Sequence, residues 1–279
     1  MTDVAAHDHL PRLGGRPRLS AYLGLLWRRR HFTIELARSR FRAENEQDRL
    51  GAAWIVIKPL INAAVYGLVF GLLLPSSSRP ENFVPFLVAG IFVFQFFAAS
   101  LSDGAKSITG NLGLVRSLHF PRAMLPVATV LQRAYGLVPM MAVLALLAVA
   151  TGEGIRLHWL MVVPALLLAT VFNTGVAFVA ARLTIHVRDV AQLIPFVTRL
   201  LFYASGIFYS IDRVVSDPLV AGVLQANPVH VYISLVRGAF LVDLPAPPEA
   251  WWFGVGWAGL LFVGGFFFFW PAEERYGRE

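Results

Sequence analysis

Few residues of this chain are spaced for covalent chemistry, and each group that could do such chemistry is incomplete. A nucleotide-hydrolysing loop, Gly-x-x-x-x-Gly-Lys-Ser/Thr, cradles phosphates with its backbone amides. The nearest string, Gly104-Ala105-Lys106-Ser107, lacks the leading glycine and the adjacent Gly-Lys pair, so any ATP hydrolysis belongs to another polypeptide. An enzyme acting on lipid phosphates needs clustered carboxylates or histidines that hold a divalent metal against a pyrophosphate. The sequence offers His186-Val187-Arg188-Asp189, with Asp103 expected on a neighbouring inner loop. One carboxylate on one loop reads better as fixing a turn or touching a partner. The absence of cysteine excludes disulfides, thiolate metal sites and sulfur redox chemistry.

What remains is charge placed where charge is expensive. Lys58, Arg133 and Arg199 fall inside otherwise apolar stretches. Ionisable groups there avoid lipid and face protein or a water-filled path. Lys58 either snorkels to the interface or meets an anionic headgroup. Arg133 and Arg199 either pack against helix carbonyls and Asn or Gln side chains, or line a path. Phe92, Phe94, Phe96 and Phe97 read as packing, whereas Tyr203 and Tyr209 could stack on sugar rings and hydrogen-bond them.

The elements that must position these residues are apolar runs. A hydrocarbon core of about 30 Å needs about 20 apolar helical residues. Six stretches supply them, at 54–74, 83–101, 125–150, 159–185, 193–209 and 251–270. With 57% hydrophobic and 15% charged residues, a soluble globular class is excluded. The expected fold is an all-α polytopic membrane protein with six transmembrane helices. No h-region with a small-residue cleavage site precedes the first span, which is therefore expected to target the chain itself. Ten arginines precede that span, and further basic residues lie at Lys106, Arg116, Arg122, Arg188, Arg275 and Arg278 on the same side. The opposite connections carry Arg79, Arg156, Arg213 and Arg237. This bias puts both termini in the cytoplasm. The formal charge of +7, lying beside apolar spans, points to anionic lipid headgroups rather than nucleic acid.

Residues 1–19 are rich in Pro, Gly, His and Arg and read as a disordered cytoplasmic tail. Residues 20–53 read as an interfacial basic segment, with Tyr22, Leu23, Leu26 and Trp27 ahead of Arg28, Arg29, Arg30 and Arg38. Its role is either membrane anchoring or lining a substrate portal. Residues 54–270 form the transmembrane domain and 271–279 a cytoplasmic tail. The long outer connection contains two apolar stretches, 218–226 and 228–242, each too short to cross and each opening at proline, with Asn227 between them. They are expected to be two short re-entrant helices; a single seventh span is the rival. On the inner side, Ile108, Leu112 and Val115 recur at helical spacing, flanked by Lys106, Arg116 and His119. The apolar face of that short helix needs either the membrane surface or a groove on a cytoplasmic protein.

Several strings, in this order and spacing, give the chain a family likeness. They are Leu50-Gly51 with Trp54 and Pro59, Val69-Phe70-Gly71, Phe120-Pro121 with Leu125-Pro126, and Arg188-Asp189. Ser205-Gly206-Ile207-Phe208-Tyr209, Asn227-Pro228 and Arg237 complete the set. The chain resembles the membrane subunit of ABC-2-type polysaccharide exporters, which export O-antigen, teichoic acid, capsule and actinobacterial galactan. It departs from that pattern at residues 41–49, where an Arg-Tyr-Arg-like stretch is usual, and at Gly206, where proline is familiar.

The resemblance implies a homodimer bound to two cytoplasmic P-loop ATPase subunits. ATP and Mg would bind in those partners, with no cofactor in this chain. It also implies a coupling helix carried by Lys106, Ile108, Asn111, Leu112, Val115 and Arg116. Arg28, Arg29, Arg30, Arg38 and Lys58 would form a portal for a lipid pyrophosphate. Asn62, Tyr66, Arg199, Tyr203 and Tyr209 would line a channel built from spans one and five. Asn227, Pro228 and Arg237 would belong to an outer gate. The implied cargo is a polyprenyl-diphosphate-linked glycan carried across the inner membrane. Lysine occurs only at Lys58 and Lys106, which suggests a GC-rich genome and inclines the cargo toward a galactan. The rival functions are drug or lipid export by the same superfamily and membrane-embedded glycan transfer.

Overall fold

The computed structural model describes residues 18–46, 50–73, 82–118 and 120–273. Expectations for residues 1–17, Arg49, Arg79, His119 and the tail beyond Glu273 fall outside the described residues. The protein is an all-α polytopic membrane protein. Two helices, α1 (Leu19–Arg28) and α2 (Arg30–Glu46), precede α3 (Trp54–Leu73) and α4 (Phe83–Ala105). A short α5 (Leu112–Ser117) leads to α6 (Met124–Ala150), α7 (Val162–His186) and α8 (Val190–Ala204). Then come α9 (Ile211–Val214), α10 (Pro218–Gln225), α11 (Pro228–Phe240) and α12 (Pro248–Phe269).

Helices α3, α4, α6, α7 and α12 are long and apolar enough to cross a membrane. The hub is α4, which packs against α3, α6, α7, α8 and α11. Its phenylalanines at 92, 94, 96 and 97 are all buried, as their packing role requires. On its far side α7 runs against α12, where Gly175 lies so close to Leu261 that a Cβ would strike the Leu261 backbone. Small residues at such crossings let membrane helices approach closely, since lipid tails offer no hydrophobic drive for association.

The fifth span is shorter than the apolar run that encodes it. A helix to Tyr209 was expected, but α8 has 15 residues and ends at Ala204. At about 1.5 Å per residue it rises about 22 Å, short of a full crossing. The helix stops because Gly206 adopts a left-handed φ of 62°, which a glycine takes without a Cβ clash. The chain then turns back, and Ile207 and Phe208 are buried in the core.

The two short helices of the long connection are α10 and α11, set 79° apart. Prolines 218 and 228 occupy their first turns. Asp217 accepts from the amides of Leu219 and Val220 at 2.8 and 3.2 Å, and Asn227 accepts from Val229 at 3.0 Å. Each side chain satisfies amides that a helix start leaves without partners. This capped break makes a bent pair rather than one straight seventh span.

The N-terminal helices fold back on the bundle. Tyr22 is buried, and its hydroxyl donates to Glu273 at 2.8 Å while accepting from the Ala123 amide at 3.3 Å. Glu273 also accepts from the Arg122 amide at 2.7 Å. Burial pushes the Glu273 carboxyl up, and the hydrogen bonds from Arg122 and Tyr22 partly oppose that rise.

Candidate functional site

Three cavities follow α4 from one end to the other. The first, about 250 Å³, lies at the α2 end and is lined by Glu44, Trp54, Lys58, Gln95, Gln132 and Arg133 among others. At its edge Arg133 on α6 donates to Asp103 on α4 at 2.6 Å and to both Glu44 oxygens on α2 at 2.9 and 3.1 Å. Gln132 adds a 2.7 Å bond to Glu44. Arg133 therefore joins three helices through carboxylates. Asp103 lies in the last turn of α4 rather than on a loop, and engages Arg133 instead of joining Asp189 in a metal site. Among the described residues no group of three or more His, Asp or Glu side chains is arranged to hold a metal ion.

The second cavity, about 340 Å³, opens between α3, α4 and α8. Asn62, Tyr66, Arg199 and Tyr203 all line it, so four of the five residues expected along a channel share one groove. Its aromatic wall is continuous, with ring centroids 5.3 Å apart for Tyr66 and Phe202 and 4.9 Å for Phe94 and Phe202. The fifth, Tyr209, lines the third cavity and donates its hydroxyl to the Tyr203 carbonyl at 3.1 Å. Gln95 lines both the first and the second cavity. On α3, Lys58, Asn62 and Tyr66 are spaced by four residues and so run along one helical face, leading from the first cavity into the second.

The third cavity is the largest, about 620 Å³, at the Phe86 end of α4. Here Arg237 is buried, with 4% of its surface exposed. Its guanidinium donates to the carbonyls of Phe86, Gly206 and Ile207 at 3.0, 2.9 and 2.8 Å and lies 3.4 Å over the Phe86 ring. Irregular backbone at membrane depth needs such partners, because lipid supplies none. Arg237 thus holds α11 to α4 and to the turn after α8, and it stands in the lining of this cavity. Asn227 caps α11 and donates to Ser205 at 3.0 Å, and Pro228 occupies the first turn.

The expected portal set divides. Lys58 faces the first cavity, 5.7 Å from the Trp54 ring centroid. Arg28 at the end of α1, Arg29 between the helices, and Arg30 and Arg38 on α2 are exposed and do not line it. Arg30 donates to the Trp27 carbonyl at 3.0 Å, and Arg38 lies 3.8 Å from Glu35. Proximity in sequence to the first span does not bring the arginines to the cavity, because α1 and α2 turn that face outward.

The short helix after α4 also differs from expectation. Its apolar face needed an external partner, but Ile108 and Val115 are buried in a cluster with Tyr22, Leu125, Phe178 and Phe269. The ends of this chain's own transmembrane helices cover that face. Asn111 is held as well, accepting from Arg40 at 2.7 Å and donating to the Ser107 carbonyl at 2.7 Å; burial lowers the pKa of Arg40 from its high ordinary value. Lys106 and Arg116 face solvent, Leu112 is half-buried, and Leu118 is 50% exposed.

Three residues escaped the sequence reading. Gln95 is a lone amide inside a phenylalanine-rich span, itself a signal, since polar groups in spans face protein or cavities. Glu44 and Gln132 gave no comparable signal, because their meeting with each other and with Arg133 depends on how α2 and α6 pack.

Long apolar helices thus surround cavities that polar and aromatic side chains line together. The chain belongs to the ABC-2 type transporter family, whose model matches residues 36–241. Similar proteins include an O-antigen export system permease protein RfbA of Klebsiella pneumoniae, 25% identical over 193 residues. That alignment covers 69% of this chain and 73% of the relative. A Myxococcus xanthus protein of the same description is 22% identical over 215 residues, covering 77% and 82% of the two chains.

Proposed function

We propose that this chain is the channel-forming subunit of an exporter that moves a polyprenyl-diphosphate-linked polysaccharide from the cytoplasm to the outer face of the inner membrane. The observation that carries the reading is the path from Lys58 past Gln95 to the groove of Asn62, Tyr66, Arg199 and Tyr203. Cations at the cytoplasmic half attract a pyrophosphate, and the aromatic and amide groups beyond them suit sugar rings and hydroxyls. The relatives' description as O-antigen export permeases supports a polysaccharide cargo.

Two copies and two cytoplasmic ATPases complete the machine. ATP and Mg bind in the ATPases, and their closure drives this chain through differential affinity for its two states. Lys106, Leu112, Arg116 and Leu118 present the coupling surface, while Ile108 and Val115 anchor it to the bundle. The cargo class is expected to be a galactan-like glycan.

Depletion of the chain should trap lipid-linked glycan on the cytoplasmic side, and purification should bring down a stoichiometric ATPase. Normal surface glycan with altered drug resistance would transfer the reading to drug export. Sugar transfer by the purified chain alone would make it an enzyme.

A further inference from the structure

We propose that the cavity at the Phe86 end of α4 is a binding subsite for a neutral sugar segment of the passing glycan. The inference rests on the exporter reading above and adds a ligand site to it. At about 620 Å³ the cavity falls within the roughly 300–1,000 Å³ typical of small-molecule sites. Its walls come from α9, α10, α11 and the start of α12, where Asp212, Gln225, Ser234 and Glu249 supply hydrogen-bonding groups and Tyr209 and Phe253 supply ring faces.

The charge pattern selects the ligand. Asp212 and Glu249 are carboxylates, and the guanidinium of Arg237 is already engaged by three carbonyls and the Phe86 ring. Against the single Arg237 cation, whose donors are taken, the two carboxylates leave the lining net negative and disfavour a phosphate or an anionic headgroup. Sugar hydroxyls instead donate to carboxylates and accept from amides and hydroxyls. Gln225 holds one Asp212 oxygen, Oδ1, at 2.5 Å, which orients the carboxylate and leaves Oδ2 to accept from a ligand. Phe253 is 50% exposed, a ring face on which the CH side of a sugar can stack. Weak, repeated binding of this kind suits conduction, which requires that a cargo enter a site and also leave it.

The test is photo-crosslinking in cells that make the whole exporter and its glycan. Phe253→p-benzoylphenylalanine keeps an aromatic group in the cavity. Trp252, 78% exposed and not among the lining residues, is the control position. Illumination should yield a glycan-positive adduct several-fold stronger at 253 than at 252. The double variant Asp212→Asn with Glu249→Gln should reduce that adduct several-fold at an unchanged level of protein. Equal adducts at both positions, an adduct at 253 carrying lipid without glycan, or a yield indifferent to the double variant would each overturn the subsite. In all three cases, continued glycan export would leave the exporter reading standing. If depletion of the chain does not affect surface glycan, the exporter reading itself falls.

Discussion

Arg133 and Arg237 both sit in apolar helices and both join three segments, yet by opposite means. Arg133 binds two carboxylates at the edge of a cavity and keeps 30% of its side chain exposed. Arg237 binds three backbone carbonyls and is buried. Carboxylate partners near water can exchange as helices move, because solvent offsets each lost contact. Backbone carbonyls in a dry interior cannot, because nothing replaces the lost donor. The Arg133 junction is therefore the easier of the two to break, and the turn beside the Phe86-end cavity the harder.

The sharpest way to break this contrast is Arg237→Ala, which takes a donor from three carbonyls, two of them in irregular backbone, and leaves a space over Phe86. It should destabilise the protein by about 3 kcal/mol or more, read as a large drop in melting temperature in detergent. Arg237→Lys should rescue little, since an ammonium cannot reproduce the planar fork. A wild-type melting temperature in the alanine variant would remove the clamp.

Arg133→Ala should be milder in stability and severe in transport. A double-mutant cycle with Asp103→Asn should give a coupling of about 1 kcal/mol, kept small because both side chains are about a third exposed. Zero coupling would mean that the three-helix junction has no energetic content.

Glu273 offers a third comparison, a carboxyl buried at the Tyr22 anchor. Its folded pKa lies above its ordinary value, so the folded protein holds a proton that the unfolded chain releases. Stability from this group is present below the ordinary carboxylate pKa of about 4 and is lost as pH rises through the raised value. Glu273→Gln should flatten that fall in melting temperature with pH. A slope unchanged by the substitution would reassign it to other groups.

The smallest structural effect is expected at Arg199, exposed at the groove. Arg199→Ala should leave melting temperature and assembly unchanged while reducing export of the glycan in cells. Full export would take Arg199 off the substrate path. Leu112→Asp, at a half-buried position on the proposed coupling surface, should separate ATP hydrolysis from export with the complex intact.

Much of the fold was legible because apolar run length is nearly one-dimensional information. The spans around Trp54, Phe83, Leu125 and Trp251 begin within three residues of the observed helices, and Asn227 between two prolines marked the break of the bent pair. The run through Tyr209 misled because its composition stays apolar after the helix has ended; Gly206 and its distant partner Arg237 decide that. Asn62, Tyr66, Arg199 and Tyr203 were placed together from the resemblance, and they do share a groove. Ile108 and Val115 were read as a face awaiting the membrane surface or a cytoplasmic protein, because periodicity shows that a face is apolar without showing what covers it.

The sequence alone determined the class of the protein: bilayer thickness fixes how many apolar residues a span needs, and arginine placement biases which side each connection takes. Tertiary structure decided which charged residue clamps backbone carbonyls, which joins three helices through carboxylates, and which cavity each side chain faces. The physical reason is sequence distance. Arg237 finds partners 30 to 151 residues away, and only packing brings those carbonyls within reach.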